Sequence, residues 1–225
     1  MTDGALYRLM TWLSPSYPVG AFSYSHGLEW FVEVGRVNNR TALIDWISDI
    51  LAHGGGRNDA ILFSHAYRAA QKKNHTALLD VAFLAAAMAV SRERHLETTA
   101  QGAAFSIVTR TTWKSASLEF LAGHVDVIAY PVAVAAAAAD HDISLELALD
   151  AYIHAFAANL ISAGVRLIPL GHTDGQLCMT ALEHNVRITA EAALTASLDD
   201  LGGAAVFSDI AAMKHETQYT RLFRS

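Results

Sequence analysis

Eleven histidines in a chain of 225 residues raise the question of a metal site. Metal sites place their ligands at short fixed spacings, such as His-x-x-x-His on one helix face or Cys-x-x-Cys at a turn. The sequence contains neither spacing. Its tightest group, Asp140-His141-Asp142, lies in a predicted turn, where exposure to solvent is the simpler interpretation. We therefore predict no metal ligands and no bound cofactor in this chain.

Nucleophilic and phosphate chemistry also lack their motifs. His53-Gly-Gly-Gly56 resembles the oxyanion loop of some esterases, but the G-x-S-x-G nucleophile turn that such a loop serves is absent. Neither G-x-x-x-x-G-K-[ST] nor G-x-G-x-x-G occurs, so the chain is not itself a P-loop nucleotidase. The single cysteine, Cys178, follows a predicted helix start and is interpreted as a small core residue.

Composition limits the classes of protein and partner. Apolar residues make up 52% of the chain and charged residues 17%, which excludes a disordered protein. The net charge of −6, with no strongly basic composition, argues against nucleic acid as a partner. One cysteine cannot form an internal disulfide, and the first residues, Met-Thr-Asp-Gly, lack the order of a signal peptide. We therefore expect a cytoplasmic protein.

The apolar runs are better suited to buried helices than to a membrane span. Residues 127–139 are too few to cross a bilayer, and residues 151–170 include His154, Asn159 and Arg166. We therefore expect no membrane segment in this chain.

Alanine accounts for 41 residues, and only four prolines interrupt the chain, so the composition favours helices. No segment shows sustained alternation of apolar and polar residues, which would indicate strands. The prediction is an all-α protein with one domain, residues 1–225, forming a helical bundle around a long central helix from Ser144 to Ile168. Residues 1–18 form an N-terminal lead-in that ends in an irregular segment with Pro15 and Pro18.

Apolar periodicity and caps predict the other helices. One runs from the irregular segment to about Val34, and another covers residues 42–52 with Thr41 as its cap. Asp59 caps a third. Further helices are predicted at 76–90, at 93–112 with Leu96 and Ile107 on its apolar side, from Pro131 to Ala139, and from a capping box that starts at Thr173.

Three segments carry more small and polar residues than packing requires: 18–29, 169–176 and 214–225. In the first, Gly27 inside a helix would cost about 0.5 to 1 kcal/mol relative to alanine. Either another protein approaches there, or another helix of this chain crosses at Gly27. The last segment mixes Arg221 with Tyr219 and Phe223, which suits either a peptide that binds a partner or a last helix packed on its own domain.

These segments carry a family resemblance. The chain resembles the urease accessory protein UreF family in Leu13-Ser-Pro, in Pro18-Val-Gly-Ala-Phe-Ser-Tyr-Ser-His-Gly-Leu-Glu29 and in Ser91-Arg-Glu-Arg94 with Gln101-Gly102. It also does so in residues 159–176 and in His215-Glu-Thr-Gln-Tyr-Thr-Arg-Leu-Phe223. The likeness covers nearly the whole chain. His172 departs from it, since glutamine is expected there in most relatives.

The resemblance implies a function without catalysis. Proteins of this kind dimerise and join the accessory protein UreD, called UreH in some systems, and the GTPase UreG on apo-urease, where the complex supports GTP-dependent nickel insertion. The implied partner-binding residues are Pro18, Gly20, Phe22, Ser23, Ser25, Gly27, Glu29, Gly171, Thr173, Asp174, Gly175, Gln176, His215, Glu216, Tyr219, Arg221, Leu222 and Phe223. Partners would order residues 214–225, so their deletion is expected to leave the domain folded but to remove UreD binding.

Two other functions stay open at this point. A GTPase-activating protein would supply an arginine to UreG, and either Arg221 or Arg94 could be that residue. A nickel chaperone would use the histidines and bind the metal tightly as an isolated protein.

Overall fold

The computed structural model describes residues 4–225, and helices form without any strand in that part of the chain. The helices are α1 (Ala5–Trp12), α2 (Leu28–Glu33), α3 (Arg40–His53), α4 (Gly55–Gln71), α5 (His75–Ala87), α6 (Arg92–Thr112), α7 (Ala116–His124), α8 (Tyr130–Asp140), α9 (Leu145–Leu167), α10 (His172–Ala193) and α11 (Val206–His215). Short 3-10 turns occur at Ala21–Ser23 and Leu198–Asp200. The predicted all-α bundle is confirmed.

Several helix starts follow from capping side chains. Ser144 accepts a hydrogen bond from the Leu147 amide at the start of α9, as predicted, and Pro131 lies in the first turn of α8. The other predicted caps are wrong. Asn39 rather than Thr41 caps α3, α4 begins before Asp59, and α10 begins at His172 after Gly171 rather than at a box that starts with Thr173. Sequence spacing alone does not separate neighbouring capping residues.

The core is built around two helices of different character. α9 is the longest helix and packs against α10, α4 and α8, as expected for a central helix. α8 is shorter, but every residue from Pro131 to Ala139 is buried. Alanine lets neighbouring backbones approach α8 on all sides, so its small side chains explain why it is enclosed.

By length and composition α9 could span a membrane, but half of its most apolar window is buried inside the protein. Tyr152, Ile153 and Leu160 are among its buried side chains, and they face other helices of the bundle. These contacts are those of a core helix.

α6 places its polar side inward. Leu96 and Ile107, on its apolar side, are 52% and 64% exposed, while Glu97 and Gln101 are buried. Amphipathic helices normally bury the apolar stripe. The inversion indicates that other polar groups of the protein meet α6 on its buried side.

The segment before α2 is not the long helix that we predicted. Gly20, His26 and Gly27 have left-handed backbones, with φ of 73°, 57° and 78°, which end any regular helix there. A Cβ on Gly27 would lie 2.5 Å from the Ala212 nitrogen of α11. The intramolecular alternative for Gly27 is therefore the correct one: a helix of the same chain crosses at this residue.

The sequence predictions placed no helix at α1, which lies inside the lead-in of residues 1–18, and none at α7. Ser115 caps α7 by accepting from the Leu118 amide, and Asp140 of α8 accepts from the Ser115 and Ser117 hydroxyls. These contacts depend on α8, so the local sequence carried little signal for α7.

Gly102 offers a test of the packing on α6. A Cβ at this position would lie 1.9 Å from the Ile128 carbonyl oxygen, so Gly102→Ala is expected to lower the free energy of unfolding by about 3 kcal/mol in urea denaturation. The matched control is Gly123→Ala in α7, where no atom lies within 4 Å of the added carbon. Equal effects of the two substitutions would contradict the close contact between α6 and the 128–129 segment.

Candidate functional site: a carboxylate cluster that holds the C-terminal segment

Three glutamates, which we call the carboxylate cluster, lie buried between α2 and α6: Glu29, Glu93 and Glu97. Glu93 and Glu97 are four residues apart and share one face of α6. A carboxylate removed from water costs several kcal/mol unless charges and hydrogen bonds replace its hydration. Groups from residues 214–225, the C-terminal segment, supply much of that replacement.

Glu29 receives the main chain of the C-terminal segment. Its Oε1 accepts from the Leu222 amide at 2.6 Å, and its Oε2 accepts from the Phe223 amide at 2.9 Å. Two consecutive backbone amides on one carboxylate fix both the position and the direction of the segment.

His215, at the end of α11, lies fully buried between two glutamates. Its Nε2 is 3.1 Å from Glu29 Oε2, and its Nδ1 is 2.6 Å from Glu93 Oε2. A neutral imidazole carries one N–H, whereas ionised carboxylates only accept, so a doubly protonated ring satisfies both contacts. In that form His215 joins α2, α6 and α11 through one side chain.

Arg221 completes this half of the cluster. Its Nη1 lies 2.8 Å from Glu93 Oε1, and its side chain remains 41% exposed. Glu29 and Glu93 then carry two negative charges against the two positive charges of His215 and Arg221. The arrangement is neutral, which a group of charges needs in order to remain buried.

Glu97 forms the other half, next to α4 and the 23–26 segment. Burial raises its pKa, but Arg94 and then His26 outweigh that effect and hold the pKa at about 2. Arg94 Nη1 is 2.5 Å from Glu97, and the Ser225 hydroxyl donates to it at 2.8 Å. Burial and then Arg94 lower the pKa of His26, which therefore adds a neutral ring.

Main-chain pairing and an aromatic contact hold the end of the segment. The Ser25 amide donates to the Ser225 carbonyl at 2.7 Å, and the Arg224 amide donates to the Ser23 carbonyl at 2.8 Å. Arg166 of α9 lies 4.4 Å from the centroid of the buried Phe223 ring. The C-terminal segment is thus packed on its own domain, the alternative that the sequence left open.

This packing argues against the expectation that deleting residues 214–225 leaves the domain folded, and we now predict that the deletion destabilises it. Such a deletion would leave Glu29 and Glu93 buried without most of their partners. It would also remove the end of α11, which follows Ala211 and Ala212, the residues that pack against Gly27.

The predicted partner-binding residues fall into two regions. Segments 18–29 and 214–225 meet at the carboxylate cluster, whereas 171–176 forms the first turns of α10. There Asp174 Oδ2 accepts from the Gly171 amide at 3.2 Å, and Arg40 of α3 pairs with Asp174 at 3.0 Å. Gly175 is buried against Val165, so it serves packing within the chain.

The predicted residues also differ in exposure. Those inside the protein are Ser25, Gly27, Glu29, Gly175, His215 and Phe223, and those at intermediate depth are Gly20, Ser23, Asp174 and Glu216. Those on the surface are Pro18, Phe22, Gly171, Thr173, Gln176, Tyr219, Arg221 and Leu222. The buried residues position the segments, and the surface residues are accessible to another protein.

The prediction missed Glu93, Glu97, His26 and Arg166 as site residues. A signal for two of them exists, because Glu93, Glu97 and Gln101 recur every four residues on α6 and form a polar stripe. Choosing that stripe required knowing that it faces the C-terminal segment. No group of three or more His, Cys, Asp or Glu side chains in residues 4–225 is arranged to hold a metal ion.

Comparisons with known proteins identify a matching family model and several similar proteins. A family model described as UreF matches residues 37–183. A protein named "Urease accessory protein UreF" from Rhodopseudomonas palustris (strain HaA2) is 54% identical over 222 residues, covering 98% of this chain and 94% of that protein. One of the same name from Bradyrhizobium sp. (strain BTAi1 / ATCC BAA-1182) is 52% identical over 98% of this chain and 92% of its own length.

Adjacent residues of the C-terminal segment provide a test of its packing. Phe223→Ala should lower the free energy of unfolding by about 3 kcal/mol, because the ring is buried under Arg166. Leu222→Ala, the matched control, removes a side chain that is 67% exposed and should change stability by less than about 0.5 kcal/mol. Chemical denaturation measures both. If Phe223→Ala lowers the free energy of unfolding as little as Leu222→Ala does, the C-terminal segment is not part of the folded domain.

Proposed function

The chain belongs to the UreF family of urease accessory proteins, and on that basis we propose that it is a non-catalytic adaptor in urease maturation. In this proposal it joins UreD (UreH) and the GTPase UreG on apo-urease, in the cytoplasm, and supports GTP-dependent insertion of nickel. The observation that carries the proposal is the ordered C-terminal segment, because it displays a defined surface beside segment 18–29.

The candidate contact surface consists of exposed side chains on a rigid base. Tyr219 is fully exposed, Leu222 is 67% exposed and Phe22 is 65% exposed. Their neighbours Phe223 and Ser25 are buried and bonded to the domain. Large exposed apolar side chains on fixed backbone are typical of sites where proteins bind with little loss of conformational entropy.

Further apolar side chains support self-association and additional partners. They lie on α1, α6 and α11, and they are Leu6, Tyr7, Met10, Leu96, Ile107, Val206, Phe207, Ile210 and Met213. Exposed apolar patches mark interaction surfaces when they are contiguous. We propose that a homodimer and UreD together cover these side chains.

The GTPase-activating alternative depends on a free arginine. Arg94 is unsuitable, because its side chain is 13% exposed and bound to Glu97. Arg221 pairs with Glu93 but keeps part of its guanidinium in solvent, so it is the residue through which that alternative could work. Substitution of Arg221 therefore tests both the adaptor function and the GTPase-activating function.

Co-purification with UreD and UreG tests the adaptor. Arg221→Ala removes the ion pair that joins the C-terminal segment to α6, and we expect it to reduce recovered UreG at least tenfold while the variant stays folded by circular dichroism. Arg224→Ala is the matched control, since that exposed side chain makes no ion pair with residues 4–225 and its amide contact is kept.

The outcomes separate the alternatives. Loss of UreG with Arg221→Ala and retention with Arg224→Ala support the adaptor. If Arg221→Ala retains UreG but abolishes a GTPase stimulation that the unsubstituted protein shows, this chain regulates hydrolysis directly and the adaptor proposal is wrong.

A further inference from the structure

A cavity of about 320 Å³ opens between the segment 13–22, α6 and α9. Leu13, Val19, Phe22 and Phe156 form apolar walls. The exposed residues Phe22 and His154 mark its mouth, since both line the cavity and reach solvent. The cavity is large enough for a small organic molecule, and such pockets usually pair apolar walls with a few polar groups.

The polar group that stands out on the floor is the carboxyl of Asp59, from α4. It accepts one hydrogen bond, from the Tyr152 hydroxyl at 3.0 Å, through Oδ2. Among residues 4–225 no Lys, Arg or His nitrogen lies within the 4 Å of an ion pair with it. Burial raises the pKa of Asp59 to about 6, although the more distant Arg94 lowers it.

Among residues 4–225, Asp59 has no ion-pair partner of its own. The titratable groups that share its cavity are Tyr17 and His26 from the segment before α2, Arg94 and Glu97 from α6, Tyr130 from α8, and Tyr152 and His154 from α9. Arg94 is already paired with Glu97 at 2.5 Å, and the lowered pKa of His26 leaves its ring neutral. Once ionised, Asp59 therefore gives the floor one surplus negative charge.

We propose that this cavity binds an ammonium or guanidinium group carried on an apolar stem of about four carbons. The cation would meet Asp59 on the floor, and the stem would lie along the apolar walls. Ammonium is a pure donor of hydrogen bonds, and the Tyr130 hydroxyl and Gln101 amide in the same cavity provide further acceptors. A free alkylammonium and a lysine or arginine side chain of another protein share this chemistry.

The first experiment uses n-butylammonium as the probe, with binding to the full chain followed by ligand-observed NMR at pH 7.5. Asp59→Asn should weaken binding at least tenfold, because it removes the charge and keeps an acceptor for Tyr152. Asp80→Asn, at an exposed position on α5, is the matched control and should bind like the unsubstituted protein. The neutral probe 1-butanol should bind at least tenfold more weakly than n-butylammonium.

The pH dependence of n-butylammonium binding is an independent test of the role of Asp59. With a pKa of about 6, Asp59 is mostly ionised at pH 7.5 and about one-tenth ionised at pH 5.0, so affinity should fall about tenfold over that range. The probe stays cationic throughout, since amines of this kind titrate near pH 10. The proposal is overturned if Asp59→Asn or pH 5.0 leaves binding unchanged, or if 1-butanol binds as well.

A second probe distinguishes a free amine from a side chain of another protein as the source of the cation. Nα-acetyl-lysine N-methylamide presents the same ammonium and stem with a peptide backbone attached. Affinity at least equal to that of n-butylammonium supports a side chain delivered by a protein, whereas binding of n-butylammonium alone supports a free amine. Absence of binding by both probes at millimolar concentration contradicts the site. It leaves the adaptor function unaffected, because that function rests on the C-terminal segment, and Phe22 is the one contact residue that also lines the cavity.

Discussion

The structure depends on three buried carboxylates that cannot remain charged without partners. Glu29, Glu93 and Glu97 lie on α2 and α6, and each is bonded to the C-terminal segment. Because desolvated charge is costly, the helices and the segment stabilise one another or neither is stable. This constraint explains why α6 turns its polar side inward and why Leu96 and Ile107 face solvent.

The same constraint links folding to function. The cluster holds the backbone of residues 222–225 in one position, so the Leu222 side chain, which points outward, starts from a fixed base. Docking a rigid surface costs a partner less entropy than ordering a loose peptide. The adaptor function proposed above benefits from this lower entropic cost, and part of the apolar surplus of the chain remains on its surface.

Sequence periodicity predicted the all-α bundle, the long helix α9 and the Pro131 start of α8, since these depend on local propensity and spacing. It failed at His26 and Gly27, because their left-handed backbones are imposed by the crossing of α11 at Ala212. The segments 18–29 and 214–225, which the sequence singled out, pack against each other within the chain. They meet at Glu29, His215 and Glu93, and the pairings of Glu93 with His215 and Arg221 span 122 and 128 residues of chain, which local spacing cannot encode.

Hydrogen exchange of the Leu222 and Phe223 amides in the isolated protein tests the central claim most directly. Both donate to Glu29 in the folded chain, whereas the nearby Tyr219 amide has no hydrogen-bond partner among residues 4–225. The account predicts that Leu222 and Phe223 exchange at least about a hundredfold more slowly than Tyr219, and that Glu29→Gln narrows this difference. Exchange of all three amides at the same fast rate would show that the carboxylate cluster does not hold the C-terminal segment.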